Sequence, residues 1–192
     1  MAINLPTPLT TPTGPGFKSC SLQSKVFGMS HELNGAAIVT VKTVGQQWII
    51  NITYNTMTHE QYLPLGNVLD TIGNMDQVEV VLPQYRQLGN AARGVTSGAA
   101  GSTSVLMDNA LPPSYVGMFV KFDNGPKVYK ILSFAGSTIT LNTGLYTALT
   151  AASIAQFTDI EFTCKLSASP TINTNENNLV EGFTLQMKET TI

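Results

Sequence analysis

The chain has 192 residues, of which 43% are hydrophobic, and its formal net charge is −2. The hydrophobic share predicts one good core or two small ones and excludes general disorder. The near-neutral charge argues against a general attraction to nucleic acid or anionic lipid. Charged residues make up 11% of the chain, less than half of the roughly 25% usual in globular domains, so we expect much of the surface to face other protein.

The first 16 residues, "MAINLPTPLTTPTGPG", are rich in proline, threonine and glycine. Their four prolines bar a helix and disfavour paired strands, so residues 1–16 are predicted to form an extended N-terminal arm. This arm is expected either to be disordered or to lie along a neighbouring subunit. It lacks a charged segment followed by an apolar run, so we expect no signal peptide. No apolar run in the sequence reaches the length of a membrane span, so we expect no membrane partner.

The stretch "AAIVTVKTVGQQWIINITY" predicts a β-hairpin, or two neighbouring strands, turning at Gly45. Apolar and polar residues alternate along its second half, which is the period of a strand with one buried face. The residues predicted to share that face are Trp48, Ile50, Ile52 and Tyr54.

A helix is predicted within residues 58–73. Thr58 and Gln61 have the spacing of a capping box, and Gly73 is a natural stop after the last turn. Pro64 either kinks this helix or marks its true first turn. The apolar residues that follow helical spacing are Tyr62, Leu65, Val68, Leu69 and Ile72.

The second half of the chain reads as short strands separated by turn signals. A strand is predicted in "QVEVVLPQY", followed by a polar and mobile crossover, "RQLGNAARGVTSGAAGSTS". Three strands are predicted in residues 116–145, with turns at 123–126 and 135–137. Another strand is predicted in "AQFTDIEFTCKL", followed by a polar loop, residues 167–178. The closing strand is predicted to place Phe183, Leu185 and Met187 on one face.

These elements predict a mainly β protein, a β-sandwich with one short helix and an inserted small β-barrel module. The predicted sandwich domain comprises residues 17–95 and 156–192, and the predicted inserted module comprises residues 96–155. Its basic cluster of Lys121, Lys127 and Lys130 is expected to line the solvated edge of a hairpin.

The two histidines, His31 and His59, are each followed by glutamate. A helical zinc motif requires a second histidine four residues on, and those positions hold Gly35 and Leu63. We therefore predict no metal site and interpret both histidines as scaffold.

The cysteines, Cys20 and Cys164, have no CxxC spacing, and the sequence leaves open whether they pair. Cys164 lies on the apolar face of a predicted strand, so a buried free thiol is favoured. A free thiol favours assembly in a reducing cytosol.

No motif for catalysis is present. The glycine-rich stretch matches neither a nucleophile elbow nor a phosphate-binding loop. Asp159 and Glu161 lie on one strand face, but two carboxylates alone make a poor calcium site. We therefore predict no catalytic residue and no cofactor, and that the chain is not an enzyme. Aromatic residues of the second half could form a ligand platform, but their alternation favours core packing; they are Tyr115, Phe119, Phe122, Tyr129 and Phe134.

The order of these segments carries a family resemblance over about residues 30–192. The segments are "LNGAAIVTV", "QQWIINITY", "MTHEQYLPLGNVLDTIG", "VGMFVKFDNGPKVYKILSF", "STITLNTGL" and "EGFTLQMKE". This order resembles the tail structural proteins of tailed bacteriophages, specifically the distal-tail or baseplate-type β proteins. The resemblance implies a virion tail component that is assembled in the host cytoplasm. It also implies a symmetric homo-oligomeric ring, hexamer favoured, that joins the tail tube to baseplate, hub or fibre proteins.

Other functions compete with this interpretation. A carbohydrate-binding or host-surface-adhesion module would use exposed aromatics such as Tyr115 or Tyr146. A head-to-tail joining or capsid-decorating protein would have a similar β fold. An enzyme such as a glycan hydrolase ranks last, because no carboxylate has a motif around it; its candidate acids are Asp108, Asp123, Asp159 and Glu161.

Overall fold

The computed structural model describes residues 3–5, 15–33, 37–72, 76–82 and 92–190, and for 3–4, 28–33 and 37–44 it describes the backbone alone. Twelve strands and one α-helix are present in these residues. In chain order they are β1 (Ile3–Asn4), β2 (Phe17–Leu33), β3 (Ala37–Tyr54), α1 (His59–Ile72), β4 (Val78–Val81), β5 (Arg93–Ser97), β6 (Ser104–Met107), β7 (Phe119–Phe122), β8 (Val128–Ala135), β9 (Thr138–Leu141), β10 (Ile154–Gln156), β11 (Glu161–Leu166) and β12 (Thr184–Glu189).

The strands form two sheets. One has six strands in the order β1-β4-β11-β12-β3-β2, antiparallel except for the parallel pair β1 and β4. The other closes into a barrel in the order β10-β5-β6-β9-β8-β7. The prediction of a mainly β, sandwich-like fold with a single α-helix among the described residues is confirmed. The predicted domain bounds, and an inserted module as an independent unit, stay predictions.

The six-stranded sheet buries the face that the alternation predicted. Trp48, Ile50, Ile52 and Tyr54 on β3 are all at most 5% exposed. From the neighbouring β12, Leu185 and Met187 join the same cluster, and Phe183 precedes them. The helix covers this cluster with Leu65, Leu69 and Ile72. Burial of these apolar side chains is the main stabilising contribution to this half of the molecule.

The predicted turn at Gly45 is wrong, because β3 continues through it. Val26 of β2 pairs with Gln46 and Gly28 pairs with Lys42, so three β3 residues stand opposite one β2 residue. This register shift is a β-bulge, which a glycine inside a strand often marks. The connection between β2 and β3 falls at residues 34–36, outside the described residues.

The predicted helix is confirmed and begins with its capping box. The Thr58 backbone N–H donates to Gln61 Oε1 at 3.1 Å, and the Gln61 backbone N–H donates to Thr58 Oγ1 at 3.3 Å. Pro64 lies inside the helix, five residues after its start, so it does not mark the first turn. The predicted stop at Gly73 lies outside the described residues.

The glycine-rich crossover was predicted to be mobile, and for its second half this is wrong. Residues 93–97 form β5 of the barrel, with Val95 fully buried. A Cβ at Gly94 would overlap the Asp108 carboxylate, and one at Gly98 would lie 2.7 Å from Leu145 Cδ1. These glycines therefore allow close packing of neighbouring chain segments. Residues 86–91 of the crossover lie outside the described residues.

The described beginning of the N-terminal arm lies on the chain's own sheet. Residues Ile3 and Asn4 form β1, parallel to β4, and the Leu5 backbone N–H donates to the Glu79 carbonyl at 2.8 Å. The Leu5 side chain is 1% exposed within the sheet's core. These three residues precede the first proline, which explains why they can pair. Residues 6–14 of the predicted arm lie outside the described residues.

Candidate functional site

The sheet and the barrel meet beside Trp48. The Trp48 indole Nε1–H donates to the Val128 carbonyl at 2.8 Å, joining β3 to the first residue of β8. Its ring stands edge-on to Phe119 of β7, with ring centroids 5.3 Å apart. Phe119 and Val128 thereby belong to the sheet's hydrophobic cluster although their strands are in the barrel.

A buried ion pair lies at this junction. Lys127 Nζ contacts Glu189 Oε2 and donates to Gln46 Oε1 at 2.7 Å. Glu189 Oε1 accepts the Val128 backbone N–H at 2.7 Å, and Oε2 accepts the Trp48 backbone N–H at 3.3 Å. Lys127, Glu189 and Gln46 are each at most 2% exposed. The expectation that Lys127 lines a solvated hairpin edge is therefore wrong, because its amine binds the inward-facing side chains of Gln46 on β3 and Glu189 on β12.

Burial favours the neutral form of both Lys127 and Glu189. Desolvation lowers the pKa of Lys127, and the charge of Glu189 opposes that change. Desolvation raises the pKa of Glu189. The charge of Lys127 and the hydrogen bonds that the Glu189 carboxylate accepts act in the opposite direction and lower it. Each charged group relies on the other because a lone charge at this depth would be costly.

Sequence reasoning missed Gln46 and Glu189. A signal existed for Glu189, since it continues the alternation of Phe183, Leu185 and Met187 on the buried face of β12. Gln46 similarly stands two residues before Trp48 on β3. Polar residues in register with a buried face are candidates for buried hydrogen-bonded groups.

Among the described side chains, the residues considered for metal and acid–base chemistry form no metal-binding group. His59 is exposed at the start of α1, and the His31 side chain is outside the described side chains. Asp159 has a left-handed backbone, φ 47°, between β10 and β11, and Glu161 opens β11. Across the described ranges, no group of three His, Cys, Asp or Glu residues is placed to hold a metal ion.

The other candidate acids of the hydrolase alternative lie beside different strands. Asp108 follows β6 and accepts a hydrogen bond from Thr96 Oγ1 at 3.0 Å, and Asp123 is in the turn after β7.

In the described portion of the chain, no helix is long and apolar enough to cross a membrane.

The aromatic residues of the barrel region pack inward, as predicted. Phe134 packs partly buried against the barrel's cluster, whereas the other four are at most 7% exposed; these are Tyr115, Phe119, Phe122 and Tyr129. Tyr115 stands edge-on to Phe157, so its ring is not free for a glycan. Tyr146 is 41% exposed beside a pocket that also contacts Asn124 and Lys127.

Both cysteines are free thiols. Cys164 on β11 is fully buried, which confirms the predicted buried thiol. Desolvation raises the pKa of this thiol, so it stays protonated and unreactive at neutral pH. Cys20 is half-buried on β2.

The long β2–β3 hairpin divides into two halves at the bulge. The inner half, residues 17–26 paired with 46–54, lies in the sheet, because β12 pairs with β3 from Ile49 to Thr53. The outer half, residues 28–33 paired with 37–42, has β2 and β3 alone. No third strand pairs with the outer half among the strands that the structure describes. At about 3.3 Å per residue, it extends the hairpin by roughly 20 Å.

The boundary between the two halves carries apolar side chains on the surface. Val26 is 57% exposed and Phe27 is 41% exposed. The Phe27 ring also lies next to Gly45, on the bulged side of β3. The strand that carries both residues, β2, forms one edge of the six-stranded sheet. Exposed edges with apolar residues favour pairing with another chain.

Comparison with known proteins identifies a matching family model and a similar protein. The family model described as "Distal tail protein pb9, A domain, N-terminal" matches residues 5–85. The distal tail protein pb9 of Escherichia phage T5 is 30% identical over 202 aligned residues, covering 97% of this chain and 99% of that protein. The family match thus includes the β2–β3 hairpin and α1, and the relative extends the likeness through the barrel. The chain therefore belongs to the distal tail protein pb9 family and is a structural component of a phage tail.

Proposed function

We propose that this protein closes into a symmetric ring of identical subunits, hexamer favoured, which joins the tail tube to baseplate, hub or fibre proteins. In this role it catalyses no reaction and functions by binding neighbouring subunits and other tail proteins. The observation that carries the proposal is the outer half of the β2–β3 hairpin, two strands without a third among the described strands.

A two-stranded ribbon of this kind is marginal in water without a surface to pack on. Its sequence is nevertheless rich in apolar residues: Met29, Leu33, Ile38, Val39 and Val41. A neighbouring copy of the chain would supply the surface that this ribbon needs. A contact between different faces of identical subunits closes into a ring when the rotation is right.

The composition supports large contacts between subunits. Charged residues are 11% of the chain, and the cores of protein interfaces are depleted in charge because burying it is costly. The apolar pair Val26 and Phe27 lies on β2, the edge strand of the sheet, next to the outer half. Together they would give each subunit a continuous strip for a neighbour.

The role in joining tail parts rests on the family and on the resemblance described above. The name of the phage T5 relative puts that protein at the distal tail, which favours this place over head-to-tail joining or capsid decoration. A host-glycan role has less support, because Tyr115 is buried and Tyr146 alone of the two named aromatics is exposed.

Light scattering combined with negative-stain imaging tests the proposal. The wild-type chain is compared with a trimmed variant in which Asn-Gly replaces residues 27–45, so that the dipeptide joins the paired residues Val26 and Gln46 in a tight hairpin turn. The control is Leu132→Lys, which adds a charge at another exposed apolar position, 54% exposed on β8. We expect rings from wild type and control, and folded monomers from the trimmed variant. Rings of the trimmed variant would overturn the proposal.

A further inference from the structure

Three side chains with complementary reactivity converge at the buried junction between sheet and barrel. Lys127 offers an amine, Gln46 a carboxamide and Glu189 a carboxyl group. The amine nitrogen lies 2.7 Å from Gln46 Oε1, and the amide carbon is one bond beyond that oxygen. Glu189 Oε2 touches the same amine nitrogen. The three residues come from β12, β3 and the turn before β8, so the fold alone brings them together.

The surroundings exclude water and hold the groups in place. Lys127 is 2% exposed, Gln46 1% and Glu189 0%. Trp48 lies alongside, with its ring centroid 5.9 Å from Lys127 Nζ. Reacting groups fixed at contact distance gain a large effective concentration over the same groups in solution.

The nitrogen of the Gln46 amide, which would leave in an acyl transfer, makes no hydrogen bond to the described residues. Within the described part of the chain, Gln46 Nε2 is buried without a hydrogen-bond partner. A buried amide nitrogen without a partner is costly and calls for an explanation. Here no hydrogen bond to another described group has to break when that nitrogen departs, and it becomes basic once attack has made Cδ tetrahedral.

We propose that Lys127 and Gln46 join in an intramolecular isopeptide bond, with Glu189 transferring the protons. Glu189 first takes a proton from the Lys127 ammonium, which leaves a neutral amine. The amine nitrogen attacks Gln46 Cδ and forms the new C–N bond. Glu189 gives its proton to Nε2 and takes one from the attacking nitrogen, and the bond from Cδ to Nε2 breaks. Ammonia leaves with the remaining proton as ammonium, and Glu189 is again a carboxylate. No oxidant or cofactor is required.

The electrostatics of the site favour the first step. Burial lowers the pKa of Lys127 and raises the pKa of Glu189, so both changes favour the neutral amine and the protonated acid. Lysines desolvated in this way become nucleophiles, and carboxyl groups with a raised pKa act as general acids. The product replaces a buried ammonium by a neutral amide.

The bond would have a structural consequence for the tail. It would tie β3 of the six-stranded sheet to the β7–β8 turn of the barrel, closing a covalent loop from residue 46 to residue 127. The relative placement of sheet and barrel would then survive forces that open a non-covalent contact.

Intact mass spectrometry of the folded chain, taken under denaturing conditions after prolonged incubation, tests this proposal. We expect a mass lower than the sequence mass by one ammonia in every chain. A tryptic digest should contain a branched peptide joining residues 46 and 127, and cleavage after Lys127 should be lost. Deamidation is distinguished because it exchanges the ammonia for a water.

Variants test the assignment. Glu189→Gln keeps the size and an acceptor oxygen but cannot transfer the protons, so the ammonia loss should disappear. Should that variant fail to fold, Lys127→Arg keeps a cation beside Glu189 and offers no nucleophilic amine, and it should also keep its full sequence mass. Lys121→Arg is the control, since Lys121 Nζ donates to the Glu161 carbonyl outside the site, and its ammonia loss should persist.

Two results would overturn the proposal. One is the full sequence mass in the folded and incubated wild-type chain, which would mean an ion pair only. The other is an ammonia loss that persists in Lys127→Arg or maps to other residues.

Discussion

Both halves of the β2–β3 hairpin are antiparallel pairs of the same two strands, but only the inner half is paired with a third described strand. The inner half pairs with β12 on one side and places Ile50, Ile52 and Tyr54 in the core. The outer half continues the same two strands beyond the bulge, where no other described strand meets it. One pair of strands therefore serves folding at one end and, in our proposal, assembly at the other. Changes in the inner half should therefore cost stability, and changes in the outer half should cost association.

The largest effect on folding is expected from Ile52→Ala in the inner half. Ile52 is fully buried between Cys20 of β2 and Leu185 of β12, its partners in register. Deleting its methyl groups should lower the free energy of unfolding by about 3 kcal/mol through lost burial and a cavity. Denaturant unfolding measures this change.

The matched control is Val26→Ala at the end of the same inner half, where the side chain is 57% exposed. It should change the free energy of unfolding by less than about 0.5 kcal/mol. Equal losses for the two variants would contradict the assignment of Ile52 to a tightly packed core.

An intermediate effect is expected at alkaline pH from Tyr129, at the barrel side of the junction. Burial raises the pKa of Tyr129 from 10.0 to about 12. Between these two values the folded chain holds a proton that the unfolded chain has lost, so stability falls as pH rises through this window. The loss attributable to Tyr129 should approach about 2 kcal/mol at the upper end.

Tyr129→Phe isolates this contribution. Its stability should fall less steeply between pH 10 and 12 than that of the wild-type chain, with the remaining slope coming from groups such as Tyr54, whose pKa burial also raises. Parallel stability curves for the two proteins would show that the Tyr129 phenol does not titrate differently on folding.

The smallest effect is expected from Thr58→Ala at the start of α1. This change removes the hydroxyl that accepts the Gln61 backbone N–H, and loss of such a cap costs about 1 kcal/mol. Thr58→Ser should restore most of the stability, because it retains the hydroxyl. Thermal unfolding of the three proteins checks this, and a Ser variant as weak as Ala would refute the capping role.

Local patterns predicted the buried strand faces and the helix because each depends on residues close in sequence. The alternation from Trp48 to Tyr54 and the spacing of Thr58 and Gln61 are examples. Gly45 was misjudged because glycine marks bulges as well as turns, and the partner strand decides which. β5 was missed because small residues suit both loops and crowded barrel strands.

The buried site could not be predicted in the same way. Lys127 is 62 positions from Glu189 in the sequence and 81 positions from Gln46. Their contact therefore depends on how the barrel packs against the sheet. By sequence alone Lys127 follows a turn signal and resembles a surface lysine. Local alternation indicated that Glu189 faces inward, but it did not indicate which cation would meet it.

Hydrogen exchange of the hairpin amides, measured above and below the concentration at which the chain assembles, tests the central claim most directly. We predict that the inner half is protected in both states, whereas the outer half exchanges rapidly in the monomer and becomes protected in the assembly. An outer half that exchanges equally fast in both states, or that is already fully protected in the monomer, would contradict the account.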